Sequence, residues 1–303
     1  MIDADLIQAI LQKASVLKAK GEDIEGCNGL IGLARQLLGI YAEKPLKGIT
    51  SKFTLGNIYL EMRKLSEARE FYNQAIDIFR MFGDRQGEGN ALALIGDTFY
   101  YEDGFPQALE YYKQAQAIFL KTSAKYSEVT VLYQMLSSYS FMGEYARAIE
   151  TTGQYLVVAK NLGLQSLEAH ALHQQGIHYQ AINAKTEAAK YYNKSWDIAR
   201  EIGAGKLEIQ NMRKLAKLYM DRFLIEEAIQ TCHESLRMAR QFRHRLEEAH
   251  CLQSLAEAYF YQGDLTRSNY YSKLSLKVKQ EVGIALVEKP VNFLEINYFL
   301  LSC

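Results

Sequence analysis

Three prolines in 303 residues leave little to interrupt long helices. With 49% hydrophobic and 12% aromatic residues, the chain also lacks the polar composition of a disordered protein. Cysteine is scarce: Cys27, Cys232, Cys251 and Cys303 are scattered without paired spacing. That excludes a disulfide framework and leads one to expect reduced thiols in a cytoplasm. Neither sign of charge is in excess, with 35 Lys+Arg against 35 Asp+Glu, so nucleic acid and anionic membrane are not expected partners. No apolar run approaches the roughly 18 residues of a membrane span. Met1 to Gln12 carries acids where a signal peptide needs a basic stretch, so no such leader is expected. Strand patterns are missing, and with them the Gly-rich phosphate loop and the Gly-x-Ser-x-Gly elbow that strands hold in place. No enzyme activity and no cofactor are expected.

What the chain has in abundance is repetition. Between Gly89 and Lys125, Leu92, Ile95, Gly96 and Phe99 fall at i, i+3, i+4 and i+7, one face of a helix. Asp103, Gly104 and Pro106 break the pattern, with Pro106 placed for the first turn of a new helix. Ala108, Tyr112, Ala115 and Phe119 then resume helical spacing. The pattern predicts two antiparallel helices joined by a tight turn, each unable to bury its stripe alone.

The unit recurs with a constant period of 40 residues. The first-helix aromatic returns as Tyr59, Phe99, Tyr139, Tyr179, Tyr219 and Tyr259, and the small residue of the second helix as Ala68, Ala108, Ala148, Ala188, Ala228 and Ser268. Gly56, Gly96, Gly176, Ala216 and Ala256 precede the aromatic, with Leu136 the exception. Tyr72, Tyr112 and Tyr192 recur in the second helix, against Thr152, Cys232 and Ser272. A closing Gly stands at 83, 163, 203 and 283, replaced by Ser123 and Arg243. Length alone suggests about two domains, but an array grows without a second core, so one continuous repeat domain is expected.

Leu55-Gly56-Asn57-Ile58-Tyr59 with Ala68, Tyr72 and Ala75, and Ile95-Gly96-Asp97-Thr98-Phe99 with Ala108, Tyr112 and Ala115, resemble the tetratricopeptide repeat (TPR) family. The usual period of that family is about 34 residues; the longer period here is similar to kinesin-light-chain-like and bacterial TPR arrays. The resemblance implies an all-α, right-handed superhelical solenoid of antiparallel helix pairs. Its organisation would be a degenerate N-terminal helical pair over 1–48, six 40-residue units over 49–288, and a capping helix over 289–303. That last segment is apolar nearly all round, with Phe293, Ile296 and Phe299 in one row. It either packs deeply or meets another surface, a second copy included.

The resemblance further implies that first helices line a concave groove, reached by the residues two after and two before the Leu of Leu-Gly-x-x-Tyr. These are Asn57, Asp97, Ser137, Ile177, Lys217 and Glu257, and Phe53, Ala93, Tyr133, His173, Arg213 and Gln253. The candidate peptide-binding residues are Asn57, Asp97, Tyr133, His173, Arg213, Lys214 and Lys217, with Asn57 in the place where the family bonds a peptide backbone. Arg213 and Lys217 stand at i, i+4 with Lys214 alongside, a pair fit for an acidic segment or a C-terminal carboxylate; a solvated cationic face is an equally open reading. A chaperone-tail clamp is not supported, because Phe53, Leu94, Thr130 and Gln134 stand where four of its residues belong.

His170 and His173 sit at i, i+3 with His178 beyond, but nothing completes a metal set at ligand spacing. Cys232 beside His233 suggests nucleophilic chemistry, yet Cys232 holds the interior place of Tyr72. Tyr100, Tyr101, Tyr133 and Phe141 lie outside the shared core pattern and either border the groove or pack between repeats. The expected role is a non-enzymatic scaffold or adaptor that grips a peptide or helix of a partner protein. The alternatives are a peptide-sensing regulator of the bacterial TPR-receptor type and a self-assembling scaffold.

Overall fold

The computed structural model describes residues 49–283. The expected helical pair over 1–48 and the capping helix over 289–303, with Cys27 and Cys303, lie outside the described residues. Among the described residues twelve helices follow one another: α1 (Ile49–Glu61), α2 (Leu65–Phe82), α3 (Arg85–Tyr101), α4 (Phe105–Thr122), α5 (Lys125–Phe141), α6 (Tyr145–Asn161), α7 (Gln165–Ala181), α8 (Lys185–Glu201), α9 (Gly205–Met220), α10 (Ile225–Gln241), α11 (Arg245–Gln262) and α12 (Leu265–Glu281). The fold class is all-α.

Backbone geometry sets this rhythm. Left-handed residues stand at Arg63, Asp103, Gly143, Asn183, Phe223 and Gly263, within each helix pair, and at Gly83, Ser123, Gly163, Gly203, Arg243 and Gly283, after it. Each ends a helix by turning the chain so that freed carbonyls are recaptured. At Gly83, for example, its own N–H reaches Arg80 O at 3.2 Å and the next N–H reaches Phe79 O at 2.8 Å. Six of the twelve are not glycine, so the closing bonds outweigh the left-handed cost there.

The chain divides into two compact units, Met1–Leu218 and Tyr219–Cys303. In the first, each helix from α1 to α7 packs on the next in sequence, and α3 also touches α5. One core cluster runs from Ala68 and Tyr72 through Ile95 and Tyr112 to Tyr139 and Ala148. In the second, α10 packs on α11 and α11 on α12, around Met220, Ile225, Ala228 and Ala258.

Glycine and tyrosine alternate across the helix pair for a steric reason. A methyl group on Gly56, Gly96 or Gly176 would sit 2.4, 2.5 or 2.5 Å from the Cε1 of Tyr72, Tyr112 or Tyr192. The tyrosine ring therefore lies flat across the glycine, and all three rings are fully buried. Where the first helix carries Leu136 in place of glycine, the second carries Thr152, and both are buried. A large residue on either helix fills the same gap, which keeps the interior near its close-packed limit.

A row invisible to the core pattern joins successive pairs. Glu88, Glu128, Glu168, Glu208 and Glu248 each lie in the first turn of a first helix, where the helix dipole favours an anion. Most reach back to the preceding second helix: Arg80 Nε donates to Glu88 at 2.8 Å, Trp196 Nε1 to Glu208 at 3.1 Å and Arg240 Nε to Glu248 at 2.9 Å. Lys160 lies 3.5 Å from Glu168.

Candidate functional site

The first helices of the first unit carry the candidate residues in two groups. The first group belongs to α1, α3 and α5. Tyr72 donates its hydroxyl to Asn57 Oδ1 at 2.9 Å, and Tyr112 donates to Asp97 Oδ1 at 2.8 Å. The glycine that admits each ring thus also delivers a phenolic proton to the residue beside it. Asp97 Oδ1 accepts a second bond from Gln134 Nε2 of α5.

Asp97 is half-buried, open at one face yet surrounded by protein. This burial raises its carboxyl to about 7, the Tyr112 hydrogen bond opposing it. The same burial, with the nearby carboxylate, raises Tyr101 to about 12 and lifts Tyr100 and Tyr112 well above the usual phenol range.

Tyr100 and Phe141 resolve in favour of packing between repeats: Tyr100 meets Phe105 and Phe141 edge-on at 5.3 and 5.8 Å, and Phe105 stacks on Phe141 at 5.3 Å. Tyr101 carries the Arg63 guanidinium over its ring at 4.2 Å. Tyr133 bridges towards the second group, with Tyr155 at 6.3 Å and His170 at 5.4 Å.

The second group is on α7 and α9. His173, expected on the groove face, is instead buried: its Nδ1 lies 2.7 Å from Asn211 Oδ1 and its ring 5.6 Å from Tyr192. Asn211 Nδ2 donates to Ser195 Oγ at 2.8 Å, and Ser195 donates to Ala169 O. Phe53, in the equivalent row, packs likewise against Tyr72 and Phe79, each at 5.8 Å. The reason is shared: two residues before the leucine, the side chain leans over the helix-pair junction and fills it.

Burial pushes His170 down to about 4, Lys206 adding to it, and His173 down to about 3; both are neutral at physiological pH. Arg213, Lys214 and Lys217 are half-buried. Burial first, then the adjacent Arg213 guanidinium, lowers the Lys214 ammonium.

Asn211 and Gln134 were not among the candidate site residues of the sequence. Asn211 left a signal, an amide in a row otherwise made of the small or apolar residues Ser51, Ala91, Val131, Ala171 and Cys251. Gln134 left none, since its row reads Thr54, Leu94, Gln174, Lys214 and Ser254.

The remaining titratable groups are held by packing. His178 is buried between Ser140 Oγ at 2.6 Å and Thr152 Oγ at 3.1 Å. Cys232 and Cys251 are buried and free of disulfides, while the His233 ring lies against Tyr259 and Tyr271. Among the described residues, no three His, Cys, Asp or Glu come together to hold a metal ion. No helix among them is long and apolar enough to cross a membrane.

Among the described residues the helix pairs stack as a helical repeat, with a polar face on the first helices and the second helices given to packing. Residues 49–121 match the family described as tetratricopeptide repeat, and helix pairs of the same 40-residue rhythm follow to residue 281. No curated protein sequence matches it.

Among solved structures, a signal-transduction ATPase of the STAND type from Pyrococcus horikoshii, with a tetratricopeptide repeat sensor, is similar at 22% identity and TM-score 0.69. The match covers 91% of this chain and 42% of that one. The apo form of RapI is similar at 15% identity and TM-score 0.63, over 93% of this chain and 88% of its own. A Rap protein complexed with competence and sporulation factor gives 11% identity and TM-score 0.52, over 93% of this chain and 99% of its own. At these identities the likeness is one of fold.

Proposed function

We propose that the chain is a non-enzymatic, cytoplasmic interaction scaffold that grips a peptide segment of a partner protein along the polar face of its first helices. The observation that carries this is the state of Lys214. It is half-buried and feels the adjacent Arg213 guanidinium, and both cations act on the buried, neutral His173. Like charges held together away from bulk water raise the energy of the empty site. An acidic side chain or a C-terminal carboxylate relieves that repulsion. Asn57, held through its Oδ1 by Tyr72, keeps its amide N–H groups to offer a peptide backbone.

The sensing alternative rests on the fold, which extends over nearly the whole of a Rap protein described in complex with competence and sporulation factor. A free short peptide is the ligand in that case, and a segment of a larger partner in the other.

The experiment is affinity selection from a random synthetic dodecapeptide pool, with free and amidated C-termini, sequenced by mass spectrometry after co-elution with the protein. Retained peptides are expected to be enriched in acidic residues or free carboxylates. Arg213→Gln/Lys214→Gln should lower their retention about tenfold, the effect of losing about 1.4 kcal/mol. Retention of no peptide by the wild type would sink the reading.

A further inference from the structure

The acidic group on α3 and α5 is left incomplete by the chain's own contacts. Asp97 Oδ1 is supplied with two donors, from Tyr112 and Gln134. Gln134, only 7% exposed, leaves its Oε1 buried without a hydrogen-bond partner. That oxygen shares a carbon with the nitrogen that donates to Asp97, so the two acceptor-bearing groups stand side by side.

The nearby cations are engaged elsewhere. The Arg63 guanidinium covers the Tyr101 ring, and Arg69 is paired with Glu102 at 2.8 Å. A carboxylate surrounded by protein without a balancing cation, next to an orphaned buried acceptor, is a costly pair of vacancies. One ammonium or guanidinium fills both, donating to each oxygen at once.

We propose that Asp97 and Gln134 form a subsite for a basic side chain, Lys or Arg, of the bound peptide. This rests on the groove reading and deepens it. The site on α9 takes negative charge and the site on α3 and α5 takes positive charge, three repeats apart. The peptide is therefore held in one direction, its basic residue at Asp97 and its carboxylate at Arg213 and Lys214. Specificity of this kind comes as much from the reversed peptide being repelled at both ends as from attraction.

The test uses the same dodecapeptide pool. Peptides retained by the wild type should carry Lys or Arg at one aligned position, on the basic side of their acidic or C-terminal group. Asp97→Asn keeps an oxygen to accept from Tyr112 and removes only the charge; it should erase that enrichment, and Gln134→Leu should weaken it. Asp103→Asn, which removes an exposed neighbouring acid, should leave the enrichment intact. For one selected peptide, replacing its Arg by neutral citrulline should weaken binding about tenfold in the wild type and hardly at all in Asp97→Asn. Peptides retained without basic enrichment, or enrichment that survives Asp97→Asn, overturn the subsite and leave the groove reading standing. No retained peptide overturns both.

Discussion

At the α3 and α5 end of the first unit a carboxylate sits among tyrosines, whereas at the α7 and α9 end cations sit beside neutral, buried histidines. Both ends are built on the same glycine under the same tyrosine, Gly96 with Tyr112 and Gly176 with Tyr192. What differs is the residue next to the glycine. Asp97 receives the Tyr112 hydroxyl; Ile177 cannot accept one, so Tyr192 turns to Gln180 Oε1 at 2.8 Å. The polar role at that end passes to His173, Asn211 and Ser195, one position row away. The scaffold is thus indifferent to the chemistry it carries: packing is set by the second helix, charge by the exposed face of the first.

The largest effect expected from breaking the comparison is steric. Gly96→Ala and Gly176→Ala should each destabilise the protein by about 1–3 kcal/mol through overpacking, seen as lower urea midpoints. Only Gly96→Ala should also displace Asp97, because only there does the ring feed the site. Gly96→Leu combined with Tyr112→Thr reproduces the Leu136 and Thr152 pairing and should recover part of the loss that Gly96→Leu causes alone.

Next comes pH, where the two ends pull in opposite directions. The folded form holds the Asp97 proton up to about pH 7, whereas the unfolded chain releases it near 3.8. Stability from this group therefore falls as pH rises across that window. His170 and His173 are lowered to about 4 and about 3. Their stability is fully present above the unfolded value of 6.5 and is lost as pH falls towards the folded values. Urea midpoints followed from about pH 4 to about pH 8 should lose the decline towards neutral pH in Asp97→Asn. In His173→Gln they should lose part of the decline on acidification. Slopes unchanged in both variants would mean that neither group titrates as its burial implies.

Smaller effects sharpen the contrast. Tyr112→Phe and Tyr192→Phe each remove one hydrogen bond and should cost about 1 kcal/mol, but Tyr112→Phe alone should raise the Asp97 carboxyl further, visible in its carbon-13 titration. The smallest effect lies in the second unit. Phe223→Gly relieves about 1–2 kcal/mol of left-handed strain against the 0.5–1 kcal/mol that glycine's freedom costs. A net gain of about 0.5–1 kcal/mol in thermal or urea stability should result.

Much of the fold was legible because periodic burial leaves a periodic trace. The recurring Tyr59 and Ala68 rows mark helix faces, and Gly83 and its counterparts mark the turns, so the helix pairs could be placed from spacing alone. Even the replacements Ser123 and Arg243 adopt the left-handed geometry that the glycines predicted. The site was legible only in part. The resemblance to tetratricopeptide repeats puts Asp97 and Lys217 in one row of the repeat, with Lys214 alongside. His173 could not be recognised as buried, because whether a side chain points out or lies across a junction depends on the partner it meets, here Asn211 on the next first helix.

What the sequence by itself determined is the element order, the 40-residue rhythm and the identity of the packed face, since these follow from local spacing and from the volume that each glycine and tyrosine demands. What only the tertiary structure decided is which polar residues of different repeats become neighbours: Gln134 with Asp97, His173 with Asn211, Arg80 with Glu88. Those pairings join side chains on different helices, up to 38 residues apart. Their charge states follow from shared burial, a property that no single residue carries in its own stretch of chain.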